Sequence, residues 1–143
     1  MDNCIFCKIA NHIIPSSIVY EDDYVMAFLD TSQVTKGHTL VIPKKHYDNF
    51  LSTPHDIVSR VMIVAQRIGQ IFIKEFKAKG VNILTNCYEA AGQSVMHFHV
   101  HVIPRYIASD GFRLEFKKND ELKSLNLPAI ANQIKENLDH DKD

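Results

Sequence analysis

Two spacings of apolar residues divide the chain. Ile18 to Glu21 and Val25 to Leu29 read as two short strands, and Asp22-Asp23 between them supplies the polar turn of a hairpin. The β-branched run Thr39 to Ile42, after Gly37 and before Pro43, reads as a third strand. The period then changes. Ile57, Val61, Val64, Ala65, Ile68, Ile71, Phe72 and Phe76 recur three and four positions apart, which predicts one stripe of a long amphipathic helix. Pro54 suits its first position, Thr53 its N-cap, and Gly80 its end. Residues 81–86 (VNILTN) and 96–104 (MHFHVHVIP) return to a strand pattern, with EAAGQS as a loop between them. A short helical turn is expected over 4–10, a bend at Pro15-Ser16-Ser17, and a terminal helix over 128–138. This order predicts an α+β fold: an antiparallel, meander-like sheet of roughly five strands, one long helix on one face and a short N-terminal helix. The other sheet face would stay free for a site or a partner. No repeat or linker interrupts the chain, so one domain is expected over 1–143, with a core at about 4–106, an extension at 107–143 and a solvated end (KENLDHDKD).

Composition narrows the function. Among 143 residues, 16 basic and 17 acidic side chains give a net charge of −1, so nothing favours duplex nucleic acid or an acidic membrane. The longest aliphatic run, Val61 to Ala65, is far too short to span a bilayer, and the opening MDNCIFCKIANHII lacks the basic and apolar regions of a leader. A cytoplasmic protein is expected. Histidine is the anomaly: of eight, His38, His46, His97, His99 and His101 lie in or beside the strand-like segments.

His97, His99 and His101 occupy alternate positions, so a strand would turn all three to one face, about 6.6 Å apart at roughly 3.3 Å of rise per residue. Phe98, Val100 and Val102 would point the other way, into the core beneath the helix. Three imidazoles on one face serve no packing purpose, because each needs a partner or water. Three readings fit: a solvated polar face, a His-x-His zinc clamp, or one nucleophilic histidine with neighbours that manage protons. Imidazole suits attack on phosphorus, being largely neutral at pH 7 with an unperturbed pKa of about 6.5. Cys4 and Cys7 form a Cys-x-x-Cys pair that points to metal or redox chemistry. No βαβ setting supports a thioredoxin-like role, and no second pair supports a zinc ribbon. Cys87 reads as a small buried filler.

The segment GQSVMHFHVHVIPR resembles the signature of the histidine triad (HIT) family of nucleotide hydrolases and transferases, and FLDTSQVTKGHTLVIPKKH, NIL-TN and CIFCKIA extend the likeness from Cys4 to about Tyr106. The chain looks like a bacterial Hint-type member of that family. The resemblance implies that His99 attacks the α-phosphorus of a nucleotide and forms a covalent nucleotidyl-histidine, which water then hydrolyses. His101 and His38 would flank the phosphate and move protons, Gln93 and Ser94 would contact the phosphate or leaving group, and Asn86 would lie nearby. Asp30 would accept hydrogen bonds from the ribose. Phe6, Ile9, Phe28, Leu29 and Ile42 would wall an apolar base pocket. In zinc-bearing relatives the positions matching Cys4, Cys7, His46 and His97 hold a structural Zn²⁺, and the family pattern implies a homodimer with joined sheets. Many relatives carry glycine near Tyr88, where this chain does not, and the Trp-containing end of eukaryotic Hint proteins is absent.

The activity expected is therefore a phosphoramidase or nucleotidyl hydrolase acting on purine nucleoside phosphoramidates or related conjugates. Diadenosine polyphosphate hydrolysis, a non-catalytic nucleotide-binding module and a zinc hydrolase using the triad as ligands are the alternatives.

Overall fold

The computed structural model describes residues 3–140 and divides them into two compact units, separated between Arg113 and Leu114. The first unit contains a short helix α1 (Ile5–Ala10), strands β1 (Ile18–Glu21), β2 (Val25–Leu29) and β3 (Thr39–Pro43), a long helix α2 (His55–Lys74), and strands β4 (Gly80–Leu84) and β5 (Val100–Arg105). The five strands form one antiparallel sheet in the order β1-β2-β3-β5-β4. The hairpin at Asp22 forms as expected: its carboxylate accepts from the Tyr24 and Val25 N–H groups and from the Tyr20 hydroxyl. The sheet is not a simple meander, because β5 inserts between β3 and β4. The run from β3 through α2 to β4 thus leaves a gap that the histidine-bearing strand fills.

Both sheet faces are covered. On one, Val61, Val64, Ala65, Ile68 and Phe72 of α2 pack on Val25, Ala27, Val41, Phe98, Val100 and Val102. The opposite face is not bare: Phe6, Ile9 and Ala10 of α1 pack on Met26, Phe28, Leu40 and Ile42, a second, smaller core. α2 begins at His55 with Pro54 as its N-cap, whereas Thr53 turns its hydroxyl back to donate to the Asn49 carbonyl at 2.7 Å. α2 ends at Lys74, and Gly80 opens β4 instead of closing the helix. Ile71 and Phe76, included in the expected stripe, are largely exposed.

The first unit runs past Tyr106 because Asp110 fastens the chain there. Its carboxylate pairs with Arg105 Nε at 2.7 Å and accepts from the Tyr106 N–H at 2.9 Å. The second unit carries α3 (Leu127–His140), longer than expected by a residue or two at each end. Its residues from Leu114 to Asp139 are all exposed. The final three residues of the expected solvated end lie outside the described residues.

Candidate active site

The three alternating histidines do not act as one set. β5 begins at Val100, so His97 and His99 precede the ladder, where the Phe98 N–H donates to the Tyr47 carbonyl at 2.7 Å. His97 is fully buried and turns to the cysteine pair, while His99 and His101 line a cleft. A zinc clamp built from all three does not fit this division.

Cys4, Cys7, His46 and His97 come together, with their ligand atoms all within 4.8 Å of one another. His97 Nδ1 lies 3.4 Å from Cys4 Sγ and 3.5 Å from Cys7 Sγ, and His46 Nδ1 lies 3.3 Å from Cys7 Sγ. A tetrahedral zinc ion, with bonds of about 2.0–2.3 Å, holds its donors about 3.3–3.8 Å apart. The outer nitrogens are also arranged for ligation. His97 Nε2–H donates to the Pro43 carbonyl at 2.8 Å, and His46 Nε2 pairs with Asp48 Oδ1 at 2.9 Å, which leaves both Nδ1 lone pairs facing the sulfurs. Burial pushes the Cys7 thiol up to about 11, with Cys4 adding to the effect, so a cation is what would make it a thiolate ligand. This donor set fits a structural Zn²⁺. Asp48 escaped the sequence reading, although His46 and Asp48 two apart are a recognisable ligand-and-support pattern.

The second cluster is an array of neutral imidazoles. His99 Nδ1–H donates to the His97 carbonyl at 2.7 Å, so the lone pair of neutral His99 resides on Nε2. His38, just before β3, receives the Val34 N–H on Nδ1 at 3.4 Å and therefore carries its proton on Nε2. That proton is donated to His101 Nδ1 at 2.9 Å, with Asp30 Oδ2 at 3.7 Å from the same nitrogen. Neutral His101 is thereby left with its proton on Nε2. The His99 and His101 rings have centroids 5.1 Å apart. Burial lowers the pKa of His38 and of His99, and burial followed by the neighbouring His99 and His38 brings His101 to about 4.

The cleft has a volume of about 390 Å³. Of the expected base-pocket residues, Phe6, Ile9, Phe28 and Leu29 line it, together with Asp30, Ser94, His99 and His101. Ile42 does not, being fully buried in the smaller core beneath. Ile5, Ile14, Leu40 and Val95 join the apolar wall, which hydropathy alone cannot tell from core. Phe6 is set edge-on to His99 at 5.0 Å and to Phe28 at 5.6 Å, which ties α1 to the histidine segment.

Two residues expected near the phosphate, Gln93 and Asn86, are not among those lining the cleft. Gln93 is buried and its carboxamide bonds to backbone groups rather than lining the cleft. Asn86 is outside the cleft lining, with its amide beside Gly92. Tyr88 takes a positive φ of 73°, and Cys87 is half-buried rather than core.

Residues 11–108 match the HIT domain family. A HIT family protein from Bacillus anthracis superposes with a TM-score of 0.88 at 47% identity, covering 95% of this chain and 97% of the other. A histidine triad nucleotide-binding protein from Candida albicans does so with a TM-score of 0.83 at 28% identity, covering 96% and 99%. The adenylylsulfatase HINT3 of Arabidopsis thaliana is 38% identical over 104 residues, 73% of this chain and 53% of the plant protein. The chain belongs to the HIT family.

Proposed function

We propose that this protein is a nucleotidyl hydrolase that cleaves purine nucleoside phosphoramidates or related conjugates through a covalent intermediate on His99. The observation that carries the reading is the hydrogen bond from His99 Nδ1 to the His97 carbonyl, which leaves a nucleophilic Nε2 on a ring lining the cleft. Nε2 attacks the α-phosphorus and the P–N bond breaks; the leaving amine takes its proton from solvent, while neutral His101 donates its Nε2–H in a hydrogen bond to the phosphate. Water then attacks the nucleotidyl-histidine, loses its proton to solvent, and releases the nucleoside monophosphate and neutral His99. The apolar wall of Phe6, Ile9, Phe28 and Leu29 suits a purine face, Asp30 suits ribose hydroxyls, and Ser94 suits a phosphate oxygen. The adenylylsulfatase name of the plant relative supports attack at an adenylyl phosphorus and leaves room for oxygen leaving groups.

Cys4, Cys7, His46 and His97 would hold Zn²⁺, with no ligand position left for water. The ion would supply cross-linking of α1 to the segment that carries His99. The chain's own groups do the chemistry.

Intact-mass spectrometry during the first turnovers of adenosine 5′-phosphoramidate tests the proposal. Wild type is expected to carry one adenylyl group, and His99→Ala none. AMP release by His99→Ala at the wild-type rate would sink the assignment, and nucleotide binding with neither adduct nor AMP would make the protein a binding module.

A further inference from the structure

Gln93 is 3% exposed, and its carboxamide is engaged on both sides. Nε2 donates to the Asp48 carbonyl at 2.6 Å and to the Val95 carbonyl at 3.0 Å, while Oε1 accepts from the Tyr88 N–H at 2.7 Å. The Gln93 backbone N–H donates to the Tyr88 carbonyl at 3.1 Å. Two carbonyls facing the nitrogen and an N–H facing the oxygen define a single satisfied orientation of the amide. One side chain thus joins the loop at Asp48, the turn at Tyr88 and the Ser94-Val95 lead into His97.

Tyr88 explains why such a clasp is needed. Its φ of 73° and ψ of 157° fall in a region that side chains bearing a Cβ rarely adopt, so the surroundings must hold it there. Gln93 closes on both the N–H and the carbonyl of that residue. The clasp reaches the candidate site in two directions. Asp48 pairs with His46 of the Cys4-Cys7-His46-His97 set, and Ser94 and Val95 line the cleft with His99 and His101.

We propose that Gln93 is a positioning residue, whose carboxamide clasp sets Asp48 against His46 on one flank and Ser94 in the nucleotide cleft on the other. The Ser94 half rests on the nucleotidyl-hydrolase reading; the Asp48 half rests only on the ligand geometry. Gln93 therefore shapes the site without touching the substrate.

The test compares wild type with Gln93→Glu, which keeps the size and the acceptor for Tyr88 but removes both donors. Each protein is loaded with Co²⁺, its release to excess chelator is followed by absorbance, and kcat and KM are measured with adenosine 5′-phosphoramidate. Cobalt is expected to leave about 10–100-fold faster from the variant, the usual effect of losing a ligand's support, with a parallel fall in kcat/KM. Adding Tyr88→Gly is expected to restore neither loss, since glycine relieves the φ at 88 but supplies no donor to the Asp48 and Val95 carbonyls. Wild-type cobalt release with a raised KM would make Gln93 a direct phosphate contact and overturn the proposal, as would wild-type behaviour in both measurements. Should Gln93→Glu not fold, Gln93→Met, uncharged and of similar length, removes the whole clasp, donors and acceptor, and is expected to speed cobalt release and lower kcat/KM in the same way. If wild type does not turn over the phosphoramidate, the hydrolase reading fails while cobalt release still decides the clasp.

Discussion

At the scale of single residues, hydrogen-bond partners divide the histidines among different tasks. His97 and His99 are two positions apart, yet one presents Nδ1 to two sulfurs and the other donates Nδ1–H to a carbonyl. Burial lowers the pKa of His38 and, with the neighbouring histidines, brings His101 to about 4, which favours the neutral rings that the hydrogen bond from His38 Nε2 to His101 Nδ1 requires. With His101 lowered from 6.5 to about 4, the unfolded chain binds more protons than the folded one between those values. Stability is then full above the unfolded value and is lost as pH falls from about 6.5 towards 4. Thermal melts are expected to show Tm falling from pH 7 to pH 5. A Tm independent of pH in this window would contradict the shift. His101→Ala is expected to lower kcat by about 10²–10³-fold in steady-state assays, the usual effect of losing a hydrogen-bond donor to the developing charge.

At the scale of elements, a six-residue helix does more than its length suggests. α1 has Cys4 as its N-cap, with Sγ accepting from the Cys7 N–H at 3.3 Å, so the same sulfur serves the helix end and the ligand set. Phe6 on that helix covers the smaller core and meets the rings of both His97 and His99 edge-on. Phe6→Ala is expected to cost about 3 kcal/mol in denaturant unfolding, the low end for a buried phenylalanine because the residue also borders the cleft. A loss under about 1 kcal/mol would show that α1 hardly contributes to the core. The periodicity of α2 and the short apolar runs of β2, β3 and β5 were legible in the sequence, because one helix face is buried and β2 and β3 are buried on both faces. The start of β5 was not: alternation continues through Met96 to Val100, but His97 and the Phe98–Tyr47 bond draw that segment out of the ladder.

At the scale of the whole molecule, β4 is an edge strand with an apolar groove beside it. Met62, Gly69 and Ile73 of α2 and Val81 and Ile83 of β4 line that groove, and Ile73 and Ile83 are each about half exposed. An open edge next to an apolar helix face fits pairing with a second copy, the homodimer with joined sheets that the family pattern implies. Sedimentation at micromolar concentration is expected to give a dimer for the full chain and a monomer for Ile83→Lys. A wild-type monomer would remove the joined-sheet arrangement. The sequence by itself determined the element types, the cleft histidines and the Cys-x-x-Cys pair, because residue spacing and side-chain chemistry are local properties. The resemblance already divided the histidines between the cysteine pair and the phosphate; only the tertiary structure decided that β5 lies between β3 and β4, and that the Gln93 side chain holds backbone. Those outcomes depend on which carbonyls and N–H groups arrive from distant segments, and a buried polar side chain turns to whichever partners satisfy it.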